Sequence, residues 1–173
     1  MVNENVMQKR YKKHIKKKKT GKPGEVGILY QRRLNSKNNI MDFNLTKTET
    51  LFLQMIRRFA EKEVKPLAAE VDEQERFPHD TVEKMGKLGL MGIPIPLKYG
   101  GAGGTNQLYS MAVEELSRVC ATTGVILSAH TSLCAAPILE MGTEEQKMKY
   151  MPKLASGEWI GAFGLTEPNA GTD

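Results

Sequence analysis

Trp159-Ile-Gly-Ala-Phe-Gly-Leu165, with the Thr166-Glu-Pro-Asn-Ala-Gly-Thr-Asp173 that follows it, is where this sequence leaves the helical period. A short apolar run bounded by turn-forming residues reads as a strand. Small residues at Gly161, Ala162 and Gly164 let backbone amides approach a flat ring, and Phe163 and Leu165 give such a ring apolar cover. Thr166 offers a hydroxyl, and the turn through Ala170, Gly171 and Thr172 leaves N–H groups suited to anionic oxygens. On these residues alone two readings stay open: the edge of a phosphate or cofactor site, or an ordinary strand closed by a Pro-Asn-Ala-Gly turn.

Upstream, the pattern is helical. Thr46-x-x-Glu49 forms a capping box, and apolar residues recur at Phe52, Met55, Ile56, Phe59, Ala60 and Val64. Pro66 should kink or end that helix, because proline has no N–H and crowds the preceding turn, with 67–71 continuing after the bend. Pro78 starts a second helix that carries Val82, Met85 and Leu88 inward. Leu90–Leu97 should be extended, since Pro94 and Pro96 oppose a helix, and 99–104 should form a flexible glycine loop. A third helix is expected over 106–120, with Glu114, Glu115 and Arg118 on its wet side. A fourth, Thr123–Glu140, is apolar nearly all round and should be central. Thr143-x-x-Gln146 then caps a fifth helix ending near Leu154.

Charge divides the chain. The net +5 conceals twelve Lys/Arg against two acidic residues in 1–40, and thirteen against eighteen in the remainder. The basic part holds Lys16-Lys-Lys-Lys19 and no apolar periodicity, so it reads as a disordered or non-native extension. A nucleic-acid arm and a mitochondrial presequence are the other readings, and the segment lacks the arginine, serine and amphipathic stripe of a presequence. No apolar run approaches the ~20 residues of a membrane span, so no membrane is expected. Cys120 and Cys134 match no metal or redox spacing and read as reduced thiols in a cytoplasmic setting.

Other candidate motifs carry little. Gly101-x-Gly103 would need glycine at 106, where Asn stands, so a dinucleotide fingerprint is excluded. No Gly-Lys-Ser/Thr ending makes a P-loop, and no ligand spacing makes a metal site. Ser128-Ala-His-Thr-Ser132 suggests a nucleophile and base, but no nearby acid orients His130 and no strand-turn-helix frame surrounds it. Such a polar cluster packs against another domain or lines a pocket. No catalytic residue is assigned.

The terminal Leu165-Thr-Glu-Pro-x-Ala-Gly-Thr-Asp173 resembles the flavin-binding signature of the acyl-CoA dehydrogenases. Further matches arrive in the same order: the helix through 59–66, Phe77-Pro78, Gly89-Leu-Met-Gly-Ile-Pro94, Tyr99-Gly-Gly-Ala-Gly-Gly104, Ser128–Ser132 and Gly142–Lys147. The wording is most similar to the short-chain, butyryl-CoA type, and the resemblance runs from Met41 to Asp173. With the basic extension over 1–40 outside it, the resemblance implies a mainly α chain: a helical N-terminal domain over 41–157, and over 158–173 the first strand of a truncated middle β-domain. It implies FAD as cofactor, with Phe163, Gly164, Leu165, Thr166, Ala170, Gly171 and Thr172 beside it and Thr166 bonded to the flavin's pyrimidine edge. Thr172, with Ala129 and Leu133, would meet the acyl-CoA substrate.

In that family a carboxylate takes the α proton of the thioester, a hydride passes from the β carbon to flavin, and electrons leave to electron-transfer flavoprotein. The complete enzyme is usually a homotetramer. The catalytic base belongs to sequence beyond this motif, so the chain alone is expected to be inactive and to hold FAD weakly at best. The competing reading is a non-catalytic helical binding protein whose basic arm attracts nucleic acid. Mitochondrial matrix replaces cytoplasm if that arm is a presequence.

Overall fold

The computed structural model describes residues 45–171, and the expectations placed on 1–40, on Met41–Asn44 and on Thr172 lie outside them. Helix α1 (Lys47–Phe59) starts on the capping box: Thr46 Oγ1 accepts from Glu49 N–H (3.2 Å) and Glu49 Oε2 from Thr46 N–H (2.8 Å). It runs through a π turn, Ala60–Val64, into α2 (Lys65–Glu73). The expected bend at Pro66 is thus absorbed by a wide turn, in which Lys65 N–H donates to Ala60 O, five residues back. Helix α3 is His79–Lys87, and α4 is Asn106–Ser117 behind an N-cap from Thr105. The long apolar segment is one continuous helical run: α5 (Ala121–Ser128), a second π turn (Ala129–Ala135) and α6 (Ala136–Met141). Helix α7 (Glu144–Ser156) closes the unit behind its own capping box, in which Gln146 N–H donates to Thr143 Oγ1 at 3.2 Å.

Packing follows the apolar stripes. Helix α4 lies against α1 and α5, while α7 lies against α3, α6 and the second π turn. Two buried clusters result. The larger gathers Ile56, Phe59, Val64, Met85, Leu90, Leu116 and Leu127; the smaller gathers Ile95, Tyr99, Ala135, Met151, Leu154 and Ala155.

Several expectations are corrected. Residues 90–97 are not extended: Leu90–Gly92 and Leu97–Tyr99 are 3₁₀ turns that bury Leu90, Met91, Ile93 and Ile95. A tight turn satisfies the prolines as well as an extended run does, and it hides more apolar surface. The glycine loop is tied down, with Ala102 N–H on Gly92 O (2.9 Å), Gly103 N–H on Ile95 O (2.8 Å) and Gly104 N–H on Ile93 O (2.7 Å). Gly101 packs so closely on Ile95 that a Cβ there would meet the Ile95 carbonyl. Leu88 does not point inward but stands 43% exposed, because α3 ends one residue before it.

Glu115 is only 5% exposed rather than wet, held by Arg57 Nε at 2.8 Å and by Arg118 Nε at 3.4 Å. Arg118 also reaches Glu61 at 2.8 Å, so one ionic chain ties α1, the first π turn and α4. Lys65 and then Arg118 hold the Glu61 carboxyl below its ordinary pKa of 4.5. Helix Ala121–Met141 is 21 residues long and, by length and composition alone, apolar enough to cross a membrane, contrary to the expectation that no run was. Here its inner side packs in the helical unit, burying Thr123, Leu127, His130, Thr131 and Ala135. Its outer side leaves Val125, Leu133 and Met141 exposed, so it is central on one side only.

Segment 159–166 pairs with no strand, and no sheet forms among the described residues. A strand needs a neighbour to complete its ladder, and these residues supply none.

Candidate active site

The candidate site grows from the end of α7. Gly157 closes that helix in the left-handed region (φ 76°), as an αL cap requires. The chain then folds back: Trp159 N–H donates to Lys153 O (3.1 Å), and the Lys153 ammonium lies 4.5 Å above the Trp159 ring. Gly161 is the last buried residue, and its N–H donates to His130 Nδ1 at 2.9 Å. Beyond Gly161 every described residue is exposed.

The proposed cofactor residues therefore form a projecting edge. Phe163 is 57% and Leu165 75% exposed, and open space surrounds the Cα of Gly164 and of Gly171. Thr166 is exposed beside them. A turn closes on Glu167 and Ala170, whose amides and carbonyls exchange bonds of 3.0 and 3.2 Å. Ala170 N–H is thus engaged in the turn and not free for an anion, a correction to the reading of that stretch. The rest suits one face of a flat, partly polar ring: two projecting apolar side chains, a hydroxyl, and backbone without side chains between them. These residues fit a flavin edge, and they supply one edge only.

The expected substrate residues lie on the run through α5 and the second π turn. Ala129 is half-buried and Leu133, one turn on, is 48% exposed. With Val125 they make an apolar stripe at four-residue spacing on the uncovered side of that helix. Thr131 Oγ1, by contrast, is buried without a partner. Among the described residues no group of His, Cys, Asp or Glu could hold a metal. Cys120 and Cys134 are free thiols, as their spacing implied.

The sequence reads His130 as part of a polar cluster that packs against another domain or lines a pocket, and the structure places it inside the helical unit instead. It is fully buried and has no acid partner; its Nε2 lies 3.1 Å from Leu154 O and its Nδ1 receives Gly161. Burial pushes its pKa below 6.5, only partly offset by the main-chain carbonyls of Leu154 and Met91. The sole signal was indirect: a histidine inside an apolar helix must find partners, and backbone groups are the commonest. An open groove of about 400 Å³ between α1 and α3 also went unforeseen. Met55, Phe59 and Leu88 form its floor, with Arg58, Lys62 and Lys87 around it, because Leu88 stays outside the core.

Comparison with known proteins bears on the helical part of the chain. The sequence model described as acyl-CoA dehydrogenase, N-terminal domain, matches residues 46–158. A relative from Clostridium acetobutylicum named acyl-CoA dehydrogenase, short-chain specific, is 68% identical over 133 residues, covering 77% of this chain and 35% of that protein. The structure of butyryl-CoA dehydrogenase from Megasphaera elsdenii superposes with a TM-score of 0.72 at 44% identity, over 77% of this chain and 36% of that one. An acyl-CoA dehydrogenase complexed with FAD, from Bacillus anthracis, gives 0.68 at 32% identity, over 74% of this chain and 22% of that one. The chain spans about a third of the length of the curated relatives it matches (35% of the Clostridium protein).

Proposed function

This chain belongs to the acyl-CoA dehydrogenase family, and on that premise we propose that it serves a flavin-dependent α,β-dehydrogenation of short-chain acyl-CoA thioesters. The observation that carries the reading is the projecting edge at 163–166, with apolar side chains, a hydroxyl and open backbone where a flat ring can lie. Bound FAD would accept the hydride. Phe163 and Leu165 would cover the ring, and Thr166 would hydrogen-bond its polar edge. Ala129 and Leu133 would offer the acyl chain an apolar wall, with Thr172 completing the substrate side from outside the described residues. No residue here is assigned to removal of the α proton. The partners proposed are the acyl-CoA, electron-transfer flavoprotein and further copies of the enzyme in a tetramer.

Purification from the natural source tests the reading. We expect a yellow protein of at least twice 19.3 kDa whose visible absorbance bleaches with butyryl-CoA more readily than with a long-chain thioester. For the 173-residue chain alone we expect at most weak FAD binding. A flavin-free 19.3 kDa protein that binds nucleic acid in a salt-sensitive way through residues 1–40 would overturn the proposal.

A further inference from the structure

His130 and Gly161 meet at the point where the chain leaves the buried unit, and what each can offer fixes the chemistry of the contact. The Leu154 carbonyl only accepts and the Gly161 amide only donates. With Nε2 at 3.1 Å from the first and Nδ1 at 2.9 Å from the second, the ring must be neutral, with its proton on Nε2. Gly161 is seated by sterics as well. A Cβ on it would fall 2.6 Å from Cβ and Sγ of Cys134 and 3.4 Å from the His130 carbonyl. His130 and Cys134 lie four residues apart in the second π turn, so one side chain bonds the amide and the other closes the space beside it.

Gly161 is the last buried position before ten exposed ones, and the direction of 162–171 is set there. We propose that His130 is a positioning residue: its neutral Nε2–H tautomer clamps the Gly161 amide and thereby fixes where the Phe163–Thr166 edge begins. That edge's role with flavin rests on the function proposed above, whereas the clamp is a property of this chain alone.

The clamp is acid-labile by construction. A proton on Nδ1 would face the Gly161 N–H, donor against donor, and the contact would break. Burial dominates that titration, opposed by the main-chain carbonyls of Leu154 and Met91. No charged side chain contributes to the lowered pKa. Lys153, beside Leu154, pairs with Glu158 at 3.0 Å. The Cys134 thiol is the titratable side chain against Gly161. The clamp is therefore closed at neutral pH and opens as pH falls below 6.5 and through the lowered pKa of His130.

Hydrogen exchange at the Gly161 amide, with a long-range ¹H–¹⁵N spectrum of the His130 ring, tests this on the full chain. In His130→Asn the amide oxygen can stand in for Nδ1 and keep the acceptor. In His130→Gln the side-chain amide can reach the Nε2 position and keep only the bond to Leu154. We expect wild type and His130→Asn to protect Gly161 at about pH 7.5, and His130→Gln to lose protection about tenfold. As pH falls below 6.5 and through the lowered pKa of His130, the wild-type protection factor should fall while that of His130→Asn holds. Equal protection in wild type and His130→Gln, or a wild-type protection factor independent of pH, would overturn the proposal. If the variants fail to fold, the wild-type ring decides: an Nδ1–H tautomer sinks the clamp and an Nε2–H tautomer with acid-dependent protection upholds it. Protection of Gly161 in a chain whose parent enzyme captures no flavin upholds the clamp and defeats the flavin reading instead.

Discussion

The two π turns share a cause and differ in use. Each ends two positions before a proline: Ala60–Val64 before Lys65-Pro66, and Ala129–Ala135 before Ala136-Pro137. In each, the residue before the proline donates to a carbonyl five positions back, Lys65 to Ala60 and Ala136 to Thr131. The wide turn moves aside the carbonyl that a proline ring would otherwise strike. The first turn buries only Ala60 and Val64 and spends its polar residues outside, on Arg118, Lys65 and Lys84. The second buries His130 and Thr131 and receives the departing chain. The first turn spends its polar side chains on surface ion pairs, whereas the second turns a histidine inward whose ring nitrogens take backbone partners from elsewhere in the chain.

The largest effect should separate the clusters around the two turns. Leu116→Ala in the larger cluster should lower stability by about 2–5 kcal/mol, since Leu116 is fully buried. Met151→Ala, equally buried but in the smaller cluster beside the exposed segment, should fall at the lower end of that range, because its surroundings can collapse further. Urea midpoints at constant m-value measure both. A Met151→Ala cost equal to that of Leu116→Ala would mean the second cluster is packed as rigidly as the first.

Next is the polar content of the turns. His130→Leu keeps apolar bulk but leaves the buried Gly161 amide without its acceptor and the Leu154 carbonyl with only the Gly157 N–H, so about 1–3 kcal/mol should be lost near neutral pH. Its sign in pH is specific. Because the folded pKa of His130 is lowered, wild-type stability is complete above 6.5 and declines as pH falls from there through the folded value. His130→Leu should show no decline in that window. Glu61 in the first turn has a lowered carboxyl pKa, so its contribution is present above 4.5 and fades only below that, as pH falls through its folded value. Glu61→Gln should therefore flatten only the more acidic limb of the curve. Thermal unfolding from about pH 8 to 3 would resolve the two windows, and a single shared window would erase the distinction.

What the sequence makes legible is what is settled within a few residues. Thr46-x-x-Glu49 and Thr143-x-x-Gln146 are local, and both capping boxes form as read. The terminal signature was legible because its residues stand together in the chain, and those of it among the described residues, 165–171, are exposed together in the fold. Glu115 was misread because its partner Arg57 lies 58 residues away. The partners of His130 were not legible because they are a carbonyl and an amide, which no residue type announces. The turns at 90–97 were missed because proline excludes a helix without choosing between an extended chain and a 3₁₀ turn.

The two caps give a smaller and more even contrast. Thr46→Ala and Thr143→Ala should each cost about 1 kcal/mol, because each removes one acceptor for an N3 amide in similar geometry, 3.2 Å in both. Circular dichroism through urea unfolding would measure them. A clear excess for Thr143 would show that α7, which supplies the Leu154 carbonyl to His130, is coupled to the clamp.

The smallest effect is the most informative about the turns themselves. If proline alone made them, Pro66→Ala and Pro137→Ala would let each helix return to the ordinary i→i−4 register. That return would rotate every later side chain by about 100° about the helix axis. Val71 would swing out of the core behind the first turn. Behind the second, Ile138 and Leu139 would leave the smaller cluster against which they pack. Losing such burial costs about 1.5–3 kcal/mol per large apolar side chain, more than one recovered backbone hydrogen bond, about 1 kcal/mol, returns. Both π turns should therefore survive proline removal, with stability changed by less than about 1 kcal/mol and the Lys65-to-Ala60 and Ala136-to-Thr131 amide bonds still protected from exchange. Reversion of the first turn alone would show that the ionic chain through Glu61 follows the register. Reversion of the second would carry His130 away from Gly161, and Gly161 protection would vanish with it.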